Sequence, residues 1–364
     1  MLLTQVAPQL NTQNISKLCL LNGEIYAGTQ NGGRLFKWNG VDAWVQVAPQ
    51  LNSQSYIHRL LVWNGEIYGG TYNGGRLFKW NGVDAWAQVA PGYSSTTTVW
   101  SLIVFNDTLY SWVSANTSSG NFLRWNNSNA WVLVLNRNPY IRPMLVKDNY
   151  IYGITTDSSS STTANLCRWP GSGNWELLAG QPSNGESNMY GFCTFNDKIY
   201  GGGGGGRLFE WNGVDAWVLK LEPLQITPVD YNNPTGYNMG NIMELLVVGN
   251  YMYAVGAGIA GRYNVFCRWD GVSSDWECLA VVSQWENFNS LVNIGNVFYM
   301  GSNSSGKLYQ YTPPVILERS INKLFSFNNK LLLASDNLIN DGLSGLRFDD
   351  NRNVLKMYNG LGSL

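Results

Sequence analysis

Two glycine-rich segments have the G-x-G-x-x-G spacing that binds the pyrophosphate of a dinucleotide. They are Gly201-Gly203-Gly206 and Gly256-Gly258-Gly261. That chemistry needs a helix after the glycines, because the helix N-terminus faces the phosphates. Each segment instead leads into a strand-like sequence, RLFEW or NVFCRW. The glycines are therefore expected to form turns between strands, and no cofactor is predicted.

Acidic residues suggest two other kinds of chemistry. Asp349 and Asp350 could ligate a cation, although a solvated loop explains them as well. Four further carboxylates stand before apolar strands and could supply the acid and base of a hydrolase: Glu186, Asp230, Glu244 and Glu286. The sequence does not fix the distances between them, so a glycan-active enzyme ranks third among our functional hypotheses.

The histidine and cysteine residues do not form a metal-binding sequence pattern. His58 is the single histidine, and the five cysteines have no C-x-x-C spacing. We interpret the cysteines as small apolar residues of strands, and we predict neither a metal site nor catalytic residues. Cys267 and Cys278 share a midpoint with Trp269 and Trp276, so each pair should face across a hairpin. A disulfide between the two cysteines stays open.

The composition excludes several classes of protein. Of 364 residues only 13% are charged, and the formal net charge is −1. The chain therefore lacks the basic surface of a nucleic-acid-binding protein. No apolar run approaches the roughly 20 residues that a membrane span needs, so membrane insertion is not expected. The first residues, MLLTQVAPQL, do not resemble a signal peptide.

A repeat organises the chain. Residues 22–44 read NGEIYAGTQNGGRLFKWNGVDAW, residues 64–86 differ from them at two positions, and residues 196–217 are a third copy. A strand-and-turn period of about 42 residues is typical of a β-propeller. Each unit divides at turn signals into four strands, A to D, and strand B carries the Ile-Tyr pair. We therefore predict an all-β fold, a single propeller domain over residues 1–364.

Side chains within the repeat support this division. Strands B and C should be joined by ion pairs between Glu24 and Lys37 and between Glu66 and Lys79. In the third copy the charges are exchanged, as expected for cross-strand neighbours. The recurring tryptophan pairs that flank the C–D turn should pack between neighbouring sheets. These residues are thus assigned to the framework and not to a site.

The number of blades is predicted from the strand B count. Seven units are clear, and an eighth, degenerate unit uses residues 322–327, 331–335 and 354–358 as strands A, B and C. Residues 4–11 repeat residues 45–52, a strand D, almost letter for letter. We therefore expect an eight-bladed propeller in which residues 4–8 pair with the C-terminal blade and close the ring. Seven blades are the alternative.

The chain resembles the kelch family of propellers. The residues that carry the resemblance are Ile67, Tyr68, Gly69, Gly70 and Trp86. The resemblance implies a propeller that recognises proteins or glycans, or in one branch a copper oxidase. The chain lacks the histidine, tyrosine and cysteine ligands of that branch, and its units are shorter than kelch repeats.

Variation among the repeats locates the candidate site. The A–B and C–D turns are nearly constant, whereas the B–C and D–A loops, on the other face, vary widely in length. In strand A an apolar position is followed by one whose residue type varies among the units, and these variable residues should surround the channel mouth. With nearby loop aromatics, the predicted ligand-binding residues are His58, Trp100, Arg142, Tyr190, Asn289, Asn322, Tyr231, Tyr237 and Trp285.

Aromatic rings beside amides and hydroxyls suit sugars and also protein partners. Our first hypothesis is a non-catalytic, lectin-like propeller that binds a glycan or a cell-surface receptor through the face with the B–C and D–A loops. The alternative is a protein-docking component of a virion or surface appendage, as in viral or phage fibres. Both hypotheses place the protein outside the cytoplasm, in an extracellular position or on a virion surface.

Overall fold

The computed structural model describes residues 3–10, 13–52, 54–94, 96–114, 120–138, 140–156, 164–182, 186, 188–226, 237–257, 262–282, 286–313, 323–327, 330–334, 345–349 and 354–358. The chain divides into two compact units, Met1–Pro313 and Pro314–Leu364. All regular structure in the described residues is β-strand. None of these residues belongs to a helix long and apolar enough to cross a membrane.

The described part of the first unit forms seven sheets, each with strands A to D paired antiparallel, as expected for propeller blades. Blades 1 and 2 comprise Asn14–Leu21, Glu24–Gln30, Leu35–Trp38, Trp44–Ala48 and Ile57–Trp63, Glu66–Thr71, Leu77–Trp80, Trp86–Ala90. Blades 3 and 4 comprise Thr98–Val99 with Ile103–Phe105, Thr108–Ser114, Gly120–Trp125, Trp131–Asn138 and Tyr140–Lys147, Tyr150–Thr156, Asn165–Trp169, Glu176–Ala179.

The remaining blades follow the same order. Blade 5 comprises Met189–Phe195, Lys198–Gly203, Leu208–Trp211 and Trp217–Leu221. Blade 6 comprises Asn241–Val248, Tyr251–Ala257, Arg262–Trp269 and Glu277–Val282, with Gln225–Ile226 and Tyr237–Met239 as added strands. Blade 7 comprises Phe288–Ile294, Val297–Ser302, Leu308–Tyr311 and the N-terminal strand Thr4–Ala7.

The prediction of eight blades, closed by the N-terminal strand in the unit from residue 322, is wrong. Thr4 pairs with Gln310, and Ala7 pairs with Leu308, so the N-terminal strand completes blade 7. The chain reaches Pro313 two residues after strand C of that blade without a fourth strand. The open edge of Leu308–Tyr311 is thus the one that the first strand covers.

The Pro314–Leu364 unit contains a sheet of its own. Its four strands pair in chain order: Lys323–Phe327, Lys330–Ala334, Gly345–Asp349 and Val354–Tyr358. The predicted strand C at residues 354–358 is therefore the fourth strand of this sheet, paired with Gly345–Asp349. Asp349 ends the third strand, and Asp350 lies outside the described residues.

Aromatic side chains join neighbouring blades, as the recurring tryptophans predict. The first tryptophan of each C–D pair packs against the strand B tyrosine of the preceding blade, with ring centroids 5.1–6.0 Å apart. The pairs are Trp38–Tyr299, Trp80–Tyr26, Trp125–Tyr68, Trp169–Tyr110, Trp211–Tyr152 and Trp269–Tyr200. Because Trp38 and Tyr299 belong to blades 1 and 7, this contact closes the ring at seven.

Glycine in strand B has no side chain, so strand A of the next blade can pack closely against it. A Cβ atom on Gly301 would lie 2.7 Å from Cγ2 of Ile15, and one on Gly28 would lie 3.0 Å from Cγ2 of Ile57. The apolar residue at the start of strand A thus fills the space that a side chain in the preceding strand B would take. Ser290 of blade 7 also accepts a 2.9 Å hydrogen bond from the Leu18 amide of blade 1.

The remaining framework predictions are confirmed in part. Lys37 Nζ lies 2.6 Å from Glu24, and the exchanged pair Lys198–Glu210 lies at 2.7 Å. Lys37 is in register with Tyr26, so the Glu24 ion pair runs diagonally between the strands and not directly across them. Cys267 and Cys278 do face each other across strands C and D of blade 6, and both are free thiols.

Candidate functional site

Strand A bulges at the variable position of the repeat. In blade 1 Ile15 pairs with Thr29 and Lys17 with Gly28, so Ser16 is an extra residue without a partner in the register. The same shift occurs in blades 2, 5, 6 and 7, where the extra residues are His58, Tyr190, Met243 and Asn289. In blade 3 Trp100 lies in the break between the two parts of strand A. A bulge re-aims side chains, so the extra residue does not follow the regular alternation of the strand.

The bulges surround one cavity of about 430 Å³ at the channel. Its lining contains two consecutive residues from strand A of several blades. We call the first set the bulge ring: Ser16, His58, Trp100, Tyr190, Met243 and Asn289. We call the set that follows it in sequence the second ring: Lys17, Arg59, Ser101, Gly191 and Glu244.

Four of the nine predicted ligand-binding residues line this cavity: His58, Trp100, Tyr190 and Asn289. Arg142 lies on strand A of blade 4 and Tyr237 on an added strand of blade 6. Tyr231, Trp285 and Asn322 lie outside the described residues. That these residues bind a ligand stays a prediction.

An aromatic wall forms one side of the cavity mouth. The imidazole of His58 meets the ring of Trp100 edge-on at 4.8 Å and that of Tyr56 at 5.4 Å. Tyr56 stacks on Tyr72, which is 41% exposed, at 5.2 Å. A 2.8 Å hydrogen bond joins His58 Nδ1 to the carbonyl of Val99. Contacts of these kinds fix the histidine between two blades and leave the Tyr72 ring available to a partner.

The second ring carries the charges of the cavity. Lys17 of blade 1 forms an ion pair with Glu244 of blade 6, and each side chain is 24% exposed. Arg59 of blade 2 donates from Nε to the carbonyl of Trp100 at 2.8 Å and from Nη1 to that of His58 at 2.9 Å. The lysine and the arginine thus link strands of different blades across the ring.

The carboxylates considered for a hydrolase have separate partners. Glu286 accepts hydrogen bonds from Ser305 at 2.6 Å and from Tyr309 at 2.8 Å. Glu186 accepts one from the Gly204 amide at 2.9 Å. Glu244 binds Lys17, and Asp230 lies outside the described residues. These bonds assign the described carboxylates to the framework.

Glu286 should make stability depend on pH. Burial raises the pKa of its carboxyl, but hydrogen bonds from Ser302, Ser305 and Tyr309 outweigh that effect and leave the pKa below 4.5. Glu286→Gln should therefore lower the free energy of unfolding by about 1–3 kcal/mol at neutral pH. The difference in free energy of unfolding between wild type and Glu286→Gln should shrink below pH 4.5, because the wild-type carboxylate then takes up a proton. Chemical denaturation of both proteins at a series of pH values would measure it.

The control for this prediction is Glu24→Gln, because the Glu24 side chain is 45% exposed. Its effect should stay within about 1 kcal/mol at every pH. A Glu286→Gln difference that is constant between neutral and acidic pH would contradict the assigned role.

The opposite face is constant for a structural reason. Asn39 Oδ1 accepts hydrogen bonds from the amides of Val41, Asp42 and Ala43 at 2.9–3.0 Å, and this holds the C–D turn. Blades 2, 3 and 5 repeat the arrangement. In blade 3 Ser128 stands where blade 2 has Val83, which is 71% exposed. The turn therefore tolerates serine at this place.

Sequence reasoning missed the second ring. The bulge position attracted attention because it varies beside a constant apolar residue, but the next position varies as much. Lys17, Arg59 and Glu244 are charges in an otherwise apolar strand pattern, and that was the available signal. Among the described residues, no group of three or more histidine, cysteine or acidic side chains could hold a metal ion.

Solved structures share the fold. The WD40 β-propeller domain of Doa1 matches with TM-score 0.59 and 10% identity over 86% of this chain and 97% of that chain. Virginiamycin B lyase from Staphylococcus aureus with quinupristin matches with TM-score 0.64 and 10% identity over 86% and 99%. The extracellular domain of the one-component system BT4673 from B. thetaiotaomicron matches with TM-score 0.57 and 15% identity over 99% of this chain and 48%, about half, of that chain.

These identities show the β-propeller fold alone. One of the three proteins is an enzyme and one is an extracellular domain, so the fold does not decide between catalysis and recognition. No protein-family model matches the chain, and a search of the curated proteins found no match. The kelch resemblance therefore stays a prediction.

Proposed function

We propose that this protein is a non-catalytic docking propeller that binds a segment of a partner protein at its channel mouth. The observation that carries the proposal is the bulge ring. Five bulged strands and one broken strand aim six different side chains into one cavity. A rigid frame with a variable, partly aromatic mouth suits recognition of an extended chain segment.

The carboxylate contacts support a function without catalysis. Glu286 and Glu186 accept hydrogen bonds from serine, tyrosine and backbone donors and do not line the described cavity, and Glu244 is neutralised by Lys17. A general acid and base need access to a substrate and pKa values suited to proton transfer. We place the protein outside the cytoplasm, on a cell or virion surface, in line with its low charge and its similarity to an extracellular domain.

Selection of random displayed peptides on the immobilised full chain tests the docking function. Peptides enriched on wild type should bind Trp100→Ala and Tyr190→Ala at least about tenfold more weakly, because buried aromatic anchors carry much of the energy of an interface. Val83→Ser, on the opposite face, should bind like wild type, since blade 3 already has serine there. Failure to enrich any peptide, or equal losses in all three variants, would refute docking at the channel mouth.

A glycan is the second candidate ligand, and the stacked Tyr56–Tyr72 pair favours it. The exposed Tyr72 ring could pack against the C–H face of a sugar. A glycan array would test this candidate with wild type and Tyr72→Ala. Binding of a defined glycan by wild type that Tyr72→Ala loses would favour a lectin over a protein-docking propeller.

A further inference from the structure

The aromatic wall continues from the outside of the channel mouth into the cavity. Tyr72 is 41% exposed and lies outside the cavity lining, whereas Tyr56, His58 and Trp100 belong to that lining. The rings follow one another from Tyr72 to Trp100 with their centroids 4.8–5.4 Å apart. Rings at these distances form a continuous apolar surface, against which a flat apolar group of a ligand can pack.

Three backbone carbonyls of the lining beside this wall already accept hydrogen bonds from side chains of the protein. Arg59 donates to the carbonyl of His58 at 2.9 Å and to that of Trp100 at 2.8 Å. The Ser101 carbonyl accepts a hydrogen bond from the Ser111 hydroxyl at 2.8 Å. A docked segment would therefore find few unoccupied backbone acceptors at the wall for its own N–H groups. An N–H group that leaves water without gaining an acceptor weakens binding.

Proline meets both conditions, because it has a flat apolar ring and no backbone N–H. Proline-rich segments adopt the polyproline II conformation, which has three residues per turn, so prolines at every third position lie on one side. Grooves lined by aromatic side chains are a known mode of binding such segments. The carbonyls of the segment still need donors, and the Tyr56 hydroxyl and the Asn289 carboxamide of the lining can supply them.

The Lys17–Glu244 ion pair of the second ring suits a neutral segment. The two side chains bind each other, each is 24% exposed, and Lys17 also donates to the Asn289 carbonyl at 3.5 Å. Neither charge of the pair therefore needs a counter-charge from a partner. A strongly acidic or basic segment would instead compete with one member of the pair.

We propose that the protein segment that docks at the channel mouth is proline-rich, and that it lies in the polyproline II conformation with its prolines against the aromatic wall. This inference rests on the proposed docking function and names the chemistry of the docked segment. The rings of Tyr56 and Tyr72 select the proline rings. The occupied carbonyls of the lining select against residues that bring an N–H group.

Random displayed peptides selected on the immobilised full-length chain supply the probes. Proline should be enriched in them, with prolines three residues apart. Replacing an enriched proline by alanine restores the N–H and should weaken binding about tenfold or more. N-methylalanine at the same position lacks the N–H, so this peptide should bind at least about threefold more tightly than the alanine peptide. Equal binding of these two peptides would contradict the role of the missing N–H.

Tyr56→Leu and Tyr72→Leu keep an apolar side chain but remove the flat ring, so each should weaken the proline peptides about twofold to tenfold. Tyr150→Leu is the matched control, because Tyr150 lies on strand B of blade 4 and does not line the described cavity. It should bind like wild type. Equal losses in all three variants would contradict recognition by the aromatic wall.

The peptide substitutions are measured on the wild-type protein, so they stay decisive if a variant folds poorly. Enrichment of peptides without proline, or equal binding of the proline and alanine peptides, would overturn the proline-rich segment and leave docking intact. Absence of any enriched peptide would instead overturn the docking function.

Discussion

A chain that lacks residues 1–12 should lose its cooperative unfolding transition, whereas a chain that ends at Pro313 should keep one. Residues Thr4–Ala7 are strand D of blade 7, and Ala7 and Leu10 are buried in the core shared with blade 1. Their loss removes about 2–4 kcal/mol of apolar burial and exposes the edge of Leu308–Tyr311. That is a large fraction of the roughly 5–15 kcal/mol of a folded domain.

Thermal unfolding followed by tryptophan fluorescence would measure both chains, because tryptophans pack against tyrosines across six of the seven boundaries between blades. A synthetic peptide of residues 1–12, added in trans, should restore the transition of the chain that lacks them. The eight-bladed arrangement makes the reverse prediction, because it requires residues 322–358 to complete the ring. A chain ending at Pro313 that fails to fold would therefore contradict a ring complete at blade 7.

The propeller fold could be predicted from the sequence because the repeated residues make the same packing contacts and turns in successive blades. The first tryptophan of each C–D pair packs against a tyrosine of the preceding blade, and the residues of the A–B turns adopt the backbone conformation that the turn requires. Asn64 and Gly65, for example, both have positive φ in the A–B turn of blade 2. Ion pairs such as Lys79–Glu66 were predictable for the same reason. Local pattern and global packing agree in these elements.

The blade number was not predictable from strand counting. The segment 322–358 imitates strands A to C of a blade, and counting cannot tell a sheet inside the ring from a sheet in a separate unit. The informative observation was the missing second tryptophan and strand D after Tyr311. That gap made blade 7 the acceptor of the N-terminal strand. The strand edge that the N-terminal strand covers depends on how the ring of blades closes. No local sequence pattern encodes that long-range contact.

The sequence indicated part of the cavity lining and missed the rest. Variation beside a constant apolar residue located His58, Trp100, Tyr190 and Asn289 at the cavity. In a regular strand successive side chains alternate between faces, so only one of two neighbouring residues would face the channel. A bulge breaks that alternation, so the following residues, including Arg59, reach the cavity as well. A sequence alone rarely reveals a bulge, because it is set by the partner strand.

The contact between Gly301 and Ile15 offers a second test of ring closure, and it needs no truncation. Ile15→Ala should cost about 2–5 kcal/mol because Ile15 is fully buried. Gly301→Ala should cost about 1–3 kcal/mol, since its Cβ would lie 2.7 Å from Cγ2 of Ile15. Ile15→Ala removes that atom, so the double variant should be about 1–3 kcal/mol more stable than the sum of the single effects predicts.

The matched control pairs Gly301→Ala with Ile57→Ala, which removes the equivalent isoleucine from blade 2. Ile57 packs against Gly28 of blade 1 and not against Gly301, so these two effects should add. Urea denaturation of the single and double variants would give both coupling energies. In an eight-bladed ring another blade would separate Gly301 from Ile15. The effects of Gly301→Ala and Ile15→Ala would then add as well. Coupling confined to the Gly301–Ile15 cycle is therefore the signature of blade 7 packed directly on blade 1.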